Sequence, residues 1–488
     1  MLSRRRLLLA GAGTALMMAA PWPGRADSVR EIRLAAMPGQ ASLVGGNNPQ
    51  TDVLGYDGKV PGPTLRLKQN EPIRIIVENK LDQDTTVHWH GIRLPNAMDG
   101  VPGLTQPPIK PGESFAYEFT PPDAGTFWYH PHANSLQQLG RGLAGALIVE
   151  APEPVAADRE ILWMMSDWRL RADAQIAGGF GNGMEAAMSG RVGNTVTING
   201  TLPTEEPVRA GERIRLRLIN SALARIMALR FEGHRPVIVA IDGQPCHPHE
   251  PDDGHLLLGP AMRVDVMIDM VGEPGGRYRV VDDFYDELAY TLVRLAYDAK
   301  PLARSTPLEA IASLPPNPVP QPDLAEAERH ELSLQGGMMS GMGGGGMMNG
   351  GKMGDGGMMG GGMMNGGMMG MMGGMGDAPW SINGMSMTGD GQADMQPLLT
   401  LKRGGSYVLT LRNETAWWHP MHLHGHSFLV ASRNGTPNPR REWSDTVLVP
   451  PKQTVDIAFV ADNPGNWMLH CHVMDHQMAG LMTVLRVA

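Results

Sequence analysis

The chain has 488 residues, 42% of them hydrophobic and 19% charged, enough apolar surface for two to four packed domains. A formal net charge of −9 excludes the basic face that nucleic acid demands and leaves no polybasic anchor for a membrane surface. What remains is a protein kept in solution by mild self-repulsion.

The first segment is Ser3-Arg4-Arg5-Arg6 followed by an apolar run through Ala20 and then Pro21-Trp22-Pro23-Gly24-Arg25-Ala26. A charged start, a short apolar stretch and small residues near a cleavage point predict an export signal over residues 1–26. The run is shorter than the ~20 residues a bilayer span needs, so no stable anchor is expected. The adjacent arginines resemble a twin-arginine signal, which places the mature protein in the periplasm. Two cysteines, Cys246 and Cys471, allow one disulfide at most, fewer than an exported protein normally uses. A cysteine left unpaired there is usually buried or holds a metal.

Further along, one pattern occurs three times. Glu71 to His90 reads EPIRIIVENKLDQDTTVHWH, an alternating strand, an Asn and a second strand. Gly211 onward reads GERIRLRLINSALARIMALRF, and Gly405 onward reads GSYVLTLRNETAWWHPMHLH, with Asn220 and Asn413 in the place of Asn79. Each copy closes on a similar segment, at Glu113–His132, Met262–Val281 and Gln453–His472. Period-2 strands broken by Pro and Gly turns predict an all-β sandwich in each copy, near 28–150, 155–300 and 323–488. Ala151–Ala157 and Ser313–Pro322 serve as linkers. The middle copy has no histidine where the outer copies carry several, so it is expected to be a spacer or a substrate-side wall. Its Cys246 is expected to be a buried structural thiol, and His247, His249 and His255, close enough to bind a stray metal, are not expected to form a functional site.

Ten histidines fall into four clusters: His88 and His90; His130 and His132; His419, His422 and His424; and His470 and His472 around Cys471, with His476 beyond. On a strand, residues i and i+2 share a face and i+1 takes the other. His470-Cys471-His472 can therefore join a thiolate-bound metal on one side to a histidine-bound cluster on the other through a few covalent bonds. His419, Cys471 and His476 form the His₂Cys set of a blue copper centre, and the remaining eight make an all-imidazole set with room for three ions. Zinc is the competing reading, but a structural zinc shell closes at four ligands and leaves the other histidines without a place.

With the motifs HWHG, HPH, HPMHLHGH and HCHVMDH, the whole mature chain outside one Met-rich insertion resembles the three-domain multicopper oxidases, which include laccases and bacterial cuprous oxidases. The resemblance implies three cupredoxin-like Greek-key domains and four copper ions. His419, Cys471 and His476 would hold type 1 copper, and His88 and His422 type 2. His90, His130 and His472 would hold one type 3 ion, and His132, His424 and His470 the other. Donors would be oxidised one electron at a time at type 1, and O₂ reduced to water at the trinuclear cluster. Asp99 stands where the family carries a proton-relay carboxylate and is the candidate proton donor; the alternative is a turn residue before Gly100.

Three positions depart from the family. Leu481 occupies the axial position and cannot coordinate, so a three-coordinate type 1 site of raised potential is expected, with Met482 aimed away. Gln477 stands where cuprous oxidases often carry a proton-feeding Glu, and Gln cannot act as an acid; Asp475 is the residue that would compensate. Thr415 and Trp417 replace the Asp and Met of the enterobacterial Cu(I) docking site. Asp445 is expected to hydrogen-bond a type 1 histidine, and His426 to be structural.

From Gly336 to Gly376 the chain is nearly all Gly and Met, with fifteen methionines. At about 1 kcal/mol per Gly against Ala, it cannot sustain a helix. Thioethers select Cu(I) or Ag(I) over Cu(II), so the segment is read as a collector of Cu(I) near type 1. The leading expectation is a monomeric periplasmic oxidase coupling oxidation of Cu(I), and of phenolic or amine donors, to reduction of O₂ for copper tolerance. The alternatives are a laccase acting mainly on organic donors and a non-enzymatic Met-rich copper carrier.

Overall fold

The computed structural model describes residues 29–153, 155–302, 309–338, 379–390 and 395–488. The expected signal segment 1–26 and nearly all of the Met-rich insertion lie outside the described residues.

Strands dominate, and they form six sheets in three facing pairs. In the first pair, Thr51–Tyr56, Arg30–Ala41, Ile73–Asn79 and Ser114–Phe119 face a sheet ordered Gly62–Lys68, Gly145–Glu150, Gly125–His130, His88–His90. The second pair has six and five strands and lies between Arg159 and Tyr297. In the third, a seven-stranded sheet faces Leu399–Leu401, Met482–Val487, Gly465–Cys471, His419–Leu423 and Thr446–Val449. Each pair encloses its own apolar core, built on Ile75, Tyr117 and Phe127 in the first, Leu218, Leu229 and Val266 in the second, and Leu409, Phe428 and Ile457 in the third. Alternating strands of this kind bury one face each, so two sheets must stack to hide it.

The repeated Asn explains why the three copies share a shape. Asn79 donates to the carbonyls of Gln83 and Ile109 while its Oδ1 accepts from Leu81 N. Asn220 does the same with Arg225, Leu258 and Ala222, and Asn413 with Trp417, Val449 and Thr415. All three are buried, so each amide satisfies backbone groups where the chain leaves one sheet for the other.

The domains are joined by a further apolar cluster, with Trp128, Leu136 and Leu139 from the first, Met164, Ile219 and Leu223 from the second and Met474 from the third. This contact brings the strand ends bearing the first and last histidine clusters together. No helix among the described residues is long and apolar enough to cross a membrane.

Candidate metal centres

The histidine pairs sit on short paired strands. His88 lies opposite His130 in register, and His422 opposite His470. Cross-strand partners stand side by side on one face, so each pairing delivers two rings to the same place. The first-domain and third-domain pairs then meet: His90 stacks on His422 with ring centroids 3.7 Å apart, and His88 on His424 at 4.0 Å. All ten predicted histidines and Cys471 are buried, none more than 2% exposed.

Eight of the histidines form one cluster. His88 Nε2 lies 3.4 Å from His422 Nε2, and His424 Nε2 lies 3.1 Å from His470 Nε2. His132, His424 and His470 can present one atom each to a common ion, as can His88, His90 and His130. His472 completes the ring of contacts, 5.1 Å from both His90 and His130 by centroid. Outward-facing nitrogens are mostly occupied: Nδ1 of His88 by Asp99 O, of His422 by Asp445 O, of His130 by Pro131 O and of His470 by Cys471 O. His90 is reversed, with Nε2 held by Asp445 Oδ1 and Thr446 Oγ1, both at 3.1 Å, and Nδ1 without a hydrogen-bond partner. Nε2 of His130, His132 and His472 is likewise buried and unpartnered. A buried polar atom left unsatisfied costs about 1–3 kcal/mol, so several in one pocket mark a place built for a cation.

The second centre lies on the other face of the same tripeptide. Cys471 Sγ is 3.5 Å from His419 Nδ1 and 3.7 Å from His476 Nδ1, and the two nitrogens are 3.2 Å apart. Thr415 Oγ1 holds His419 Nε2 at 2.8 Å, and the Met188 carbonyl of the middle domain holds His476 Nε2 at 2.7 Å. Burial pushes the Cys471 thiol well above its ordinary value and lowers the imidazoles of His90, His130, His419, His422, His424, His470 and His472, with those of His132 and His476 lowered to about 3. Imidazoles kept neutral are ready ligands, and a thiol this buried becomes a thiolate only against a cation. Neutral nitrogens plus one thiolate make a donor set that fits copper.

Asp99 is buried and spans two rings, its Oδ2 2.9 Å from His424 Nδ1 and its Oδ1 3.3 Å from His88 Nδ1. Asp445 requires a correction. It touches His90 and His422 of the eight-histidine cluster, because the strand Thr446–Val449 pairs with the strand carrying His422 and ends there; no contact joins it to His419 or His476 among the described residues. Leu481 packs in the core cluster with Cys471, and Met482 in a separate one with Val101 and Met468, as strand alternation requires. Gln477 is buried with neither amide atom bonded. Asp475 faces the middle domain, accepts from Arg191 N, and burial raises its pKa to about 6. His426 is fixed by His424 O and packs between Phe459 and Trp467.

In the middle domain, Cys246 is buried in the core, and both cysteines are free. His249 bonds the His247 carbonyl and His255 pairs with Asp283, so the three do not converge. No sequence pattern points to Arg263, whose guanidinium is fully buried against Asp445; only the company of two buried carboxylates marks it.

The residues on either side of the insertion's undescribed part contact the surroundings of the Cys471 centre. Met338 accepts from Trp417 Nε1 and donates to the Ala187 carbonyl. Trp380, beyond the insertion, has its ring 4.3 Å from that of His476 in a tilted contact and edge-on to His419 at 5.1 Å.

Comparison with known proteins finds relatives over nearly all of the chain. Three family models described as multicopper oxidase match residues 39–154, 159–297 and 368–488. The multicopper oxidase MmcO of Mycobacterium tuberculosis is 32% identical over 97% of this chain and 90% of its own length. Copper resistance protein A of Escherichia coli is 28% identical over 88% of each chain. Among solved structures, a multi-copper oxidase from Pseudomonas thermotolerans superposes with a TM-score of 0.80 at 34% identity, covering 94% of this chain and 99% of that one. A chain with this donor set, three sandwich domains and relatives along its full length belongs to the multicopper oxidases, copper-dependent oxidoreductases that pass electrons from a donor to O₂.

Proposed function

We propose that the protein is an exported cuprous oxidase that protects the cell by oxidising Cu(I), and that also accepts phenolic or amine donors. In this reading His419, Cys471 and His476 hold type 1 copper, and the other eight histidines hold one type 2 and two type 3 ions in the pairing given by the family motifs. When bound, these ions supply one-electron oxidation of the donor and four-electron reduction of O₂ to water. Residues 1–26 are an export signal, domains follow at 28–150, 155–300 and 323–488, and the mature protein is a periplasmic monomer.

One observation carries the reading. Cys471 Sγ points to His419 and His476 while His470, its neighbour, stands against His424, so a single tripeptide connects both centres. Asp99 bonds the outer nitrogens of His88 and His424, which supports reading it as the proton donor. Thr415 and the Met188 carbonyl fix the two type 1 imidazoles, and Leu481 closes that site with a side chain that cannot coordinate. The donor side is supported by the two roots of the Met-rich insertion. Met338, near the start of a run of soft thioethers, bonds Trp417 two residues before His419, and Trp380 beyond the run contacts both type 1 histidines, which are themselves shielded from solvent.

The second reading, a laccase working mainly on organic donors, is favoured by Leu481 and by Trp417 in place of the family's Met. O₂ consumption with Cu(I) and with a phenol, measured on the intact protein and on a deletion of residues 339–376, separates the two. Selective loss of Cu(I) turnover supports the collector, and an unchanged ratio of the two donors overturns it. Copper binding without O₂ uptake would identify a carrier instead.

A further inference from the structure

The middle domain contributes no histidine to either centre, yet it sends one fully buried guanidinium to the edge of the eight-histidine cluster. Arg263 begins the strand Arg263–Asp269 and touches all three domains. Its Nε donates to the Thr126 carbonyl of the first, and its Nη1 and Nη2 to the Ala261 and Asp242 carbonyls of the second. Toward the third it makes a two-pronged pair with Asp445, Nη1 to Oδ1 at 2.8 Å and Nη2 to Oδ2 at 2.5 Å. Asp242 completes the clamp. Its Oδ1 accepts from Arg263 N, and its Oδ2 accepts from Thr446 N at 3.0 Å and from the Ser444 hydroxyl.

What the clamp holds is the outer contact of two cluster histidines. Asp445 Oδ1 accepts from His90 Nε2, and the Asp445 carbonyl accepts from His422 Nδ1 at 2.9 Å. Left to itself, Asp445 is a metal-capable group: it can combine with His90 and His422 around one ion, on the wrong side of both rings. A guanidinium paired with both carboxylate oxygens offsets the negative charge that would draw such an ion and engages the lone pairs it would use. The chain also keeps space for this pair. Gly91, directly after His90, has φ +86°, and a Cβ there would lie 2.3 Å from Arg263 Nη2 and 2.5 Å from Asp445 Oδ2. The glycine that closes the HWHG motif therefore makes way for the clamp as well as for the turn.

We propose that Arg263 and Asp242 are positioning residues for the copper cluster. They fix Asp445 as a hydrogen-bond acceptor, so that His90 turns Nδ1 and His422 turns Nε2 inward, and they keep Asp445 from serving as a ligand. The inference rests on the multicopper assignment of the eight histidines. It assigns the metal-free domain a part in building the oxygen-reducing site.

The test compares full-length wild type, Arg263→Met, Arg263→Lys and Asp445→Asn, each loaded with copper and dialysed against a chelator. The visible absorption of the Cys471 centre serves as the internal control for folding. Arg263→Met is expected to keep that absorption while binding cluster copper about 10–100-fold more weakly, with Lys intermediate. Nitrogen-15 histidine spectra of the copper-free chains, with His90 assigned by substitution, are expected to show Nε2–H in wild type and a shift toward Nδ1–H in Arg263→Met. Wild-type cluster affinity and tautomer in Arg263→Met overturn the inference. If that variant does not fold, Asp445→Asn decides: weakened cluster copper with the Cys471 absorption intact supports the clamp, and equal loss at both centres overturns it. Wild type that binds no copper at the eight histidines overturns the assignment itself, a result distinct from both.

Discussion

The two centres are built in different ways. The Cys471 centre takes all three donors from the third domain, on Gly465–Cys471, the start of His419–Leu423 and the short helix Met474–Met478. The eight-histidine cluster exists only where the first and third domains meet, and the second braces it through Arg263. A local centre can be recognised from residue types at short spacing. A shared one depends on domain docking, and its finer features, such as which nitrogen of His90 faces inward, depend on neighbours hundreds of residues away in sequence.

Breaking the link between the centres should have the largest effect. Cys471→Ser is expected to abolish the visible absorption and reduce donor-driven O₂ uptake to background, while copper at the eight histidines is retained; copper per chain and an O₂ electrode check both. Next comes Asp99→Asn, which keeps the shape of the carboxylate and removes its acidity. O₂ reduction should fall about 10²–10⁴-fold, equally for every donor, with the visible absorption unchanged. A donor-dependent loss would place Asp99 on the other side of the molecule's work.

Leu481→Met sharpens the contrast from the donor side. A thioether beside Cys471 should lower the potential of a copper held there and slow oxidation of the more weakly reducing donors, without changing copper content at the eight histidines. Redox titration of the visible band reads this directly. The smallest effect concerns Asp475, whose folded pKa of about 6 lies above the ordinary carboxylate value. Its proton is held more tightly in the folded state, so its ionisation erodes stability as pH rises from about 4 to about 6, and the loss is complete above that. Asp475→Asn should remove this slope and raise stability at neutral pH by at most about 3 kcal/mol. Thermal unfolding across that window tests the sign.

The sandwich class was legible because period-2 strands and the recurring Asn79, Asn220 and Asn413 recur with the same neighbours, and the structure shows the three amides satisfying equivalent carbonyls. The histidines were legible because HxH spacing and the HCH tripeptide demand a face-by-face division that the strands supply. Asp445 was not. Its place beside His90 and His422 follows from the pairing of Thr446–Val449 with His419–Leu423, and nothing in the Trp443–Thr446 stretch states that register. Arg263 was invisible for a similar reason: an arginine in a strand of a metal-free repeat looks like an exposed charge until the fold buries it between Asp242 and Asp445.

By itself, then, the sequence determined the repeat, the donor types and the division into three donors and eight, since these follow from residue chemistry and strand periodicity. Tertiary structure alone decided which nitrogens converge, that the domain without histidine ligands reaches the cluster, and that the methionine segment starts at Met338 against Trp417 and gives way to Trp380 against His419 and His476. Those depend on contacts between segments far apart in the chain, and no local pattern encodes a distance across a domain interface.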